Sequence, residues 1–315
     1  MLPNNQKSVS PVMVAIAFAT VYIVWGSTYF FIQIAVHGIP PMLLGAARFF
    51  TAGLLLLGWC AIKGEKLFNR NNILHAAVSG ILLLCVANGT VIWVEQTLPS
   101  AMVAIMVSSA PIWFVILDKP KWKDNFKNRS IVAGLLIGFT GVILLFGEQV
   151  AKSLGESNGQ SKLGGMALLI VASIAWPSGS LYSKYRATQG SVMVNTAWQM
   201  LIAGIMFIPG MLLHHETEHL SWQKVPATSW FALIYLIVFG SIAAYSAYVW
   251  LLQVRSAAQV STYAYVNPVI AVLLGIFFAR EHISLLQIAG LVIILASVLL
   301  INLAKYQKEK QIKTE

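Results

Sequence analysis

The amino-acid sequence predicts an all-α integral membrane protein with ten transmembrane helices, arranged as two inverted five-helix repeats. Three observations predict this fold class: an apolar composition, ten apolar runs and an internal repeat. Hydrophobic residues make up 58% of the 315 residues and charged residues only 10%, which excludes an ordinary soluble domain. The formal charge of +10 lies in short loops and the tail, so we expect a lipid bilayer as partner and no nucleic acid.

The apolar residues fall into runs of about 20, the length that a helix needs to cross a bilayer. Little chain remains between the runs, so no soluble domain is expected. The predicted helices cover residues 12–35, 41–62, 73–94, 97–117, 130–147, 163–186, 191–213, 229–252, 257–279 and 284–304.

The second half of the chain repeats the first. An offset of 151 residues pairs Trp25 with Trp176 and Gly53 with Gly204, and we call such pairs repeat mates. Matches of Trp, Gln and Pro in order indicate duplication, because they arise by chance less readily than matches of Leu and Val. We therefore predict a first repeat at 12–147, a linker at 148–162, a second repeat at 163–304 and a basic tail at 305–315. Further mates, at an offset of 157, are Trp93 with Trp250, Gln96 with Gln253 and Pro111 with Pro268.

The basic residues predict the orientation. Because five is an odd number, the second repeat must enter the membrane upside down relative to the first. If the N-terminus is cytoplasmic, sixteen of the 21 Lys and Arg residues lie on the cytoplasmic side and four lie outside. This excess is typical of cytoplasmic loops, so we expect both termini in the cytoplasm. The remaining basic residue, Arg48, lies within a helix.

Two matched segments predict the binding site. Gly26 follows Trp25, and Pro177 follows Trp176, each in the middle of an apolar run. Gly and Pro weaken a helix interior, and helices interrupted at corresponding positions of two halves point to a transporter's binding site. The two tryptophans are interpreted as cavity walls, with packing as the alternative. The Ser and Thr hydroxyls near the tryptophans can bind a ligand or can hydrogen-bond to the backbone of their own helix.

The other candidate binding residues are polar or aromatic and lie within the predicted helices. Tyrosines suit moderately apolar molecules, although each can instead serve an interhelical hydrogen bond. The predicted substrate-binding residues are Trp25, Ser27, Thr28, Tyr29, Arg48, Asn88, Trp93, Trp176, Ser178, Ser180, Gln199, Tyr245, Tyr248, Trp250, Tyr263, Tyr265 and Asn267.

Two charges stand out as singular in the membrane region. Arg48 lies seven residues past Pro41, about 10 Å into its helix. Glu95 lies near the outer end of the third helix. Charges in the membrane are costly and usually functional, so we predict that the two face each other as an outer gate or a proton-coupling pair. A static ion pair, or a Glu at the water interface, is the alternative.

Several segments resemble the EamA-type exporters of the drug/metabolite transporter superfamily, most closely the YedA subgroup. They are residues 23–30, Pro40-Pro41 followed by Arg48-Phe49, residues 87–89, and residues 261–268 followed by Arg280-Glu281. The resemblance implies ten helices in two inverted repeats, a bacterial inner membrane, and export of small metabolites, amino acids or drug-like compounds, often in exchange for protons.

The leading functional prediction is a secondary transporter that exports small organic metabolites by alternating access. A membrane enzyme is not expected, because no paired carboxylates, Ser-His pair or Cys/His cluster with metal-ligand spacing is found. No cofactor and no metal are expected. A passive facilitator or channel is the alternative. The small-residue face at Gly134 and Gly138 packs either within a monomer or in a homodimer.

Overall fold

The computed structural model describes residues 10–98, 103, 106–154, 159–186, 191–218, 220–279 and 284–314. The sequence features at Arg280-Glu281, and residues 155–158 of the predicted linker, lie outside the described residues. Within the described ranges the chain is helical and no strand occurs.

Several helices follow the predicted apolar runs, whereas the helix described in the run at 97–117 is Ala110–Leu117 and the last helix extends to Thr314. Two of the runs each contain a π-helical segment, named π1 and π2. The elements are α1 (Pro11–Val36), α2 (Pro41–Ile62), α3 (Arg70–Gly80), π1 (Ile81–Asn88), α4 (Gly89–Val94), α5 (Ala110–Leu117), α6 (Trp122–Phe126), α7 (Arg129–Leu154), α8 (Gly159–Tyr185), α9 (Val192–Leu213), α10 (Ala227–Tyr235), π2 (Leu236–Tyr245), α11 (Ser246–Val254), α12 (Ala257–Val260), α13 (Tyr263–Ala279) and α14 (Leu285–Thr314).

Six stretches of the described chain are long and apolar enough to cross a bilayer. A seventh is possible if the short helices at Lys119–Phe126 join the start of α7, from which they are bent by 94°. The prediction of an all-helical membrane protein is confirmed. At the two ends of the predicted linker, α7 continues to Leu154 and α8 begins at Gly159.

The predicted interruptions beside the two tryptophans are wrong. Helix α1 runs unbroken through Gly26, and α8 runs unbroken through Pro177. Gly26 instead permits close packing: a Cβ there would lie 2.5 Å from the Cβ of Ile270 in α13. Position 26 therefore requires the small size of glycine and not its conformational flexibility.

The departures from α-helical geometry lie in the π-helical segments. Repeat mates Asn88 and Tyr245 are the last residues of π1 and π2, so the two segments end at equivalent places in the two halves. Neither segment contains a proline. A π-helical turn frees carbonyl groups and re-aims side chains, and such turns are frequent at functional sites.

Helices α2 and α9 pack closely through repeat-mate glycines. A Cβ on Gly53 would lie 2.6 Å from the backbone nitrogen of Leu201, and a Cβ on Gly204 would lie 2.4 Å from that of Phe50. Phe50 is itself the repeat mate of Leu201, so the two contacts are reciprocal. As the numbers rise along α2 they fall along α9, so the two helices run antiparallel. Reciprocal contacts of this kind are those of a local two-fold axis.

Helices α7 and α14 form the second close pair. A Cβ on Gly134 would lie 2.6 Å from Cγ1 of Ile301, and one on Gly138 would lie 2.5 Å from the Ser297 hydroxyl. The small-residue face at Gly134 and Gly138 therefore packs within the chain.

Candidate functional site

A cavity of about 70 Å³ lies between the two halves of the chain. Its walls come from α1, α2, π1, α4, α5, α8 and α13, together with Val107 before α5. A site between structurally related halves is where secondary transporters bind their substrates. The lining residues are Trp25, Thr28, Tyr29, Ile32, Arg48, Ala87, Asn88, Val91, Val107, Ala110, Ala172, Ser173, Trp176, Tyr263 and Asn267.

Repeat mates Trp25 and Trp176 meet in the cavity wall. Their ring centroids are 5.5 Å apart and the rings are nearly perpendicular. Nε1 of Trp25 donates to the carbonyl oxygen of Gly240 in π2, at 3.1 Å. Nε1 of Trp176 donates to the Tyr248 hydroxyl, at 2.9 Å. Because repeat mates that touch lie near the local two-fold axis, the tryptophans mark where the two halves meet.

Two tyrosines complete an aromatic cluster beneath Trp25. The ring centroids of Tyr248 and Tyr263 lie 4.9 Å and 5.0 Å from that of Trp25. The Tyr248 hydroxyl also shares a hydrogen bond of 2.6 Å with Ser180 in α8. The contacts between the rings, and the hydrogen bonds of the Tyr248 hydroxyl, hold these rings in place. The cluster therefore provides a rigid apolar wall.

Among the described residues that line the cavity, Arg48 is the only charged one. Its side chain is 3% exposed. Nε donates to the Ser241 hydroxyl of π2, at 2.9 Å, and Cζ lies 4.8 Å from the centroid of the Phe49 ring. Nη1 has no hydrogen-bond partner among the described residues. The guanidinium is thus held on one side and has an unused donor.

Asn88 and Glu95 hold the unused acceptors near Arg48. Oδ1 of Asn88, at the end of π1, has no partner, and neither carboxylate oxygen of Glu95 has one among the described residues. Glu95 is 8% exposed and close enough to Arg48 and Tyr29 to interact with them electrostatically. No hydrogen bond joins Arg48 to Glu95 within the described chain, so the alternative of a static ion pair is not seen there, and the outer gate or proton-coupling pair stays a prediction.

The repeat mate of Arg48, Gln199, has every side-chain group bonded. Nε2 donates to the hydroxyls of Ser79 (2.8 Å) and Ser183 (3.1 Å), and Oε1 accepts from Tyr245 (2.9 Å). Both mates bond to the other half of the chain. Arg48 of the first half donates to Ser241 of the second, and Gln199 of the second half donates to Ser79 of the first. Gln199 therefore has no unused polar group, whereas Arg48 keeps one donor without a partner among the described residues.

Further contacts join the helices at the end of the molecule away from the cavity. Nζ of Lys184 donates to the carbonyl oxygens of Leu252 and, at 2.8 Å, Arg255. The Tyr185 hydroxyl donates to Asp118, at the end of α5. These contacts tie the ends of α5, α8 and α11 together.

Eight of the predicted binding residues line the cavity: Trp25, Thr28, Tyr29, Arg48, Asn88, Trp176, Tyr263 and Asn267. The other nine lie outside its lining. Most of them use their polar groups elsewhere: the Tyr265 hydroxyl, for example, donates to the Leu135 carbonyl oxygen between α13 and α7. Trp93 instead lies 4.9 Å from the His214 ring. The nine are Ser27, Trp93, Ser178, Ser180, Gln199, Tyr245, Tyr248, Trp250 and Tyr265.

Sequence reasoning missed the small and aliphatic lining residues. Ile32 lies seven residues after Trp25, Ala172 lies four before Trp176, and Val91 lies three after Asn88. These are the spacings that put residues on one helix face, so periodicity around the predicted residues would have found them. Within the described ranges, no group of three His, Cys, Asp or Glu side chains could hold a metal ion.

Comparison with known proteins decides the family. The EamA-like transporter family matches residues 12–147 and 163–303, most of the chain. The chain belongs to the EamA-like transporter family. The resemblance that its sequence suggested is confirmed.

Two relatives that match this chain are named as transporters. The chain is 36% identical over 293 residues to the inner membrane transporter YedA of Escherichia coli (strain K12), covering 92% of this chain and 90% of the relative. It is 22% identical over 289 residues to the transporter YoaV of Bacillus subtilis (strain 168), covering 90% and 94%. A crystal structure with 16% identity covers 95% of this chain and 100% of its own, with a TM-score of 0.73, and shows the same fold.

These findings establish the class of protein. This EamA-family chain is a multi-pass inner-membrane transporter and not an enzyme, so its partners are a small-molecule substrate and the lipid bilayer.

Proposed function

We propose that the protein is a secondary transporter that exports small organic metabolites, amino acids or partly apolar drug-like solutes among them, by alternating access. The observation that carries this proposal is the cavity itself. Repeat mates Trp25 and Trp176 touch in its wall, and Arg48 and Asn88, each with a buried polar atom that has no partner among the described residues, also line it.

Two inverted five-helix repeats, with both termini in the cytoplasm, are the proposed topology. Gly53 and Gly204 make reciprocal contacts across α2 and α9, which run antiparallel. Equivalent helices that run in opposite directions are what an axis in the membrane plane produces. The basic residues, which concentrate on the proposed cytoplasmic side, support the same arrangement.

In this orientation the cavity lies in the external half of the molecule. Arg48 is near the start of α2, on the side of the loop that joins α1 to α2. The Gln199 network and the contacts of Lys184 and Tyr185 lie towards the cytoplasm. We propose that these contacts close the cytoplasmic end in the present conformation and break when the cavity turns inward.

Glu95 is the proposed proton-coupling residue, with Arg48 as its electrostatic partner. Its carboxylate is buried and has no hydrogen-bond donor among the described residues. Arg48 on α2 and Tyr29 on α1 are the titratable groups that interact with it. Adding or removing a proton at Glu95 changes the net charge beside Arg48, and therefore the field in the cavity.

Reconstitution into proteoliposomes tests this function. A counterflow screen with radiolabelled amino acids and other metabolites identifies a substrate, and its flux is then measured with and without an imposed pH gradient. We expect Glu95→Gln to keep counterflow and to lose the response to the pH gradient. The matched control is Glu218→Gln, which changes an exposed carboxylate outside the cavity and leaves the response intact.

Two results would contradict parts of the proposal. A Glu95→Gln variant with an unchanged pH response removes the proton role. Substrate flux that only runs down its own gradient, in the wild-type protein as in the variant, indicates the passive facilitator instead.

A further inference from the structure

We propose that residues 119–129, which connect α5 to α7 and which we call the basic segment, bind an anionic phospholipid. The phosphate group of the lipid binds in a cleft lined by basic side chains, and its acyl chains lie beside two exposed aromatic rings. This surface is separate from the cavity between the two halves. The inference therefore depends neither on the transported substrate nor on its coupling to protons.

The basic segment lies across the end of a membrane helix. It contains a 3₁₀ turn at Lys119–Lys121, helix α6 and the first residue of α7. The stretch Lys119–Phe126 is bent by 94° from the stretch Arg129–Leu144, which covers most of the predicted fifth transmembrane helix. A short helix perpendicular to a membrane-spanning helix lies parallel to the membrane surface, where interfacial helices bind lipid.

Two aromatic side chains of α6 are exposed at this surface. Trp122 is 44% exposed, Phe126 is 51% exposed, and their ring centroids lie 6.2 Å apart. Because they are four residues apart, they share one face of the helix. Asn125 is buried, so a different face of α6 packs against the protein. Exposed aromatic rings are typical of the boundary between lipid headgroups and acyl chains.

A cleft in the same segment carries the charge. Three of its lining residues are exposed cations and one is a carboxylate, so the charge of the described lining is complementary to a phosphate group. The carboxylate, Asp124, forms an ion pair with Lys121 at 3.9 Å. The lining residues are Lys123, Asp124, Lys127, Asn128 and Arg129.

The side-chain cations, and not the start of α7, form the site. Oδ1 of Asn128 accepts a hydrogen bond from the backbone nitrogen of Ser130, at 3.1 Å, so the chain itself caps this helix. Ammonium and guanidinium groups bind phosphate oxygens through charge-assisted hydrogen bonds. Lys123, Lys127 and Arg129 are therefore the proposed phosphate ligands.

The internal repeat shows that the fold does not require this charge. The basic segment contains five Lys or Arg residues and one acidic residue, whereas the equivalent residues 275–285 of the second half contain one Arg and one Glu. The two connections join corresponding helices, so the excess of cations belongs to one side of the membrane. In the proposed orientation that side is cytoplasmic, where anionic lipids attract basic segments.

The exposed rings favour a lipid over a free phosphate ion. A free ion would contact only the cations and would leave the rings of Trp122 and Phe126 in water. A phospholipid supplies both partners, because its phosphate group is covalently joined to acyl chains that remove apolar surface from water.

Lipid titration of the purified full-length protein tests the site. Protein stripped of lipid in detergent is titrated with dioleoylphosphatidylglycerol or dioleoylphosphatidylcholine, which have the same acyl chains, and bound lipids are counted by native mass spectrometry. Each Lys or Arg near an anionic headgroup contributes about fivefold in affinity. The wild-type protein should therefore bind the first phosphatidylglycerol roughly ten- to a hundredfold more tightly than phosphatidylcholine.

Variants of the cleft assign the contacts. The triple variant Lys123→Gln, Lys127→Gln, Arg129→Gln should bind the two lipids equally. Lys127→Gln alone should lower the preference about fivefold, and it tests the same site if the triple variant does not fold. Phe126→Gln should weaken the binding of both lipids and leave the preference between them unchanged.

The matched control removes three exposed cations elsewhere on the same proposed side. Lys63→Gln, Lys66→Gln, Arg70→Gln changes the connection between α2 and α3, which contributes no residue to the cleft. This variant should keep the preference for phosphatidylglycerol. An equal loss of preference in the control would show that total charge, and not the cleft, attracts the lipid.

The outcomes separate this inference from the proposed function. Equal binding of the two lipids by the wild-type protein overturns the site and leaves transport standing, since the assay does not involve the cavity. Displacement of phosphatidylglycerol by an equal concentration of inorganic phosphate would show that the cleft binds a free anion, which overturns the lipid assignment.

Discussion

Substitution of Gly53 by Ala tests the close packing of α2 against α9. The added methyl group would lie 2.6 Å from the backbone nitrogen of Leu201 and 2.8 Å from its Cα. Backbone atoms cannot turn aside as a flexible side chain can, so the helices must separate. Overpacking of this kind costs about 1–3 kcal/mol.

Gly58→Ala is the matched control, on the same helix. No atom lies within 4 Å of the position of its added methyl group. Both substitutions gain about 1 kcal/mol of helix propensity, so this gain cancels when the two variants are compared. The difference between them is therefore the overpacking cost, or roughly 2–12 °C in the midpoint of thermal unfolding.

Thermal unfolding of the purified variants in detergent measures this difference. Gly204→Ala should behave like Gly53→Ala, because its methyl group would lie 2.4 Å from the backbone nitrogen of Phe50. The double variant should be less destabilised than the sum of the two, since both act on one interface. Equal midpoints for Gly53→Ala and Gly58→Ala would refute the reasoning.

Two further substitutions should change stability without changing substrate preference. The carboxylate of Glu216 accepts hydrogen bonds from the backbone nitrogens of Met42 (3.2 Å) and Leu43 (2.8 Å), at the start of α2. Glu216→Ala should cost about 0.5–2 kcal/mol in thermal unfolding, while Glu218→Ala, at an exposed carboxylate, should cost little. Tyr265→Phe removes the bond to Leu135 and should cost about 1 kcal/mol while leaving counterflow affinity unchanged; a changed affinity would place this tyrosine in the site.

Much of the fold could be read from the sequence because its signals are local or periodic. Apolar runs of membrane-spanning length predicted the helices, and α2 has the predicted bounds, 41–62. The pairing of Trp25 with Trp176 needed only a comparison of the two halves. Whether those helices are interrupted could not be predicted from the sequence, because Gly26 can either break a helix or let another helix approach closely. The contact with Ile270 in the folded protein shows that it does the second.

The candidate site was predicted in part for the same reason. Residue type identified Arg48 and Asn88 as unusual within apolar helices, and both line the cavity. Residue type could not separate Tyr263, which lines the cavity, from Tyr265, which bonds between helices. Residues two positions apart on a helix lie on different faces, and helix packing decides which of those faces meets the cavity.

The sequence by itself determined the membrane class, the duplication and the two tryptophans that meet between the halves, because composition, run length and repeats are carried by the order of residues alone. Only the tertiary structure decided the rest: the π-helical segments, the bond from Arg48 to Ser241, and the contrast between a fully bonded Gln199 and an open Arg48. Ser241 is 193 positions from Arg48 along the chain. A partner at that separation is chosen by how the helices pack against each other, and no local pattern records it.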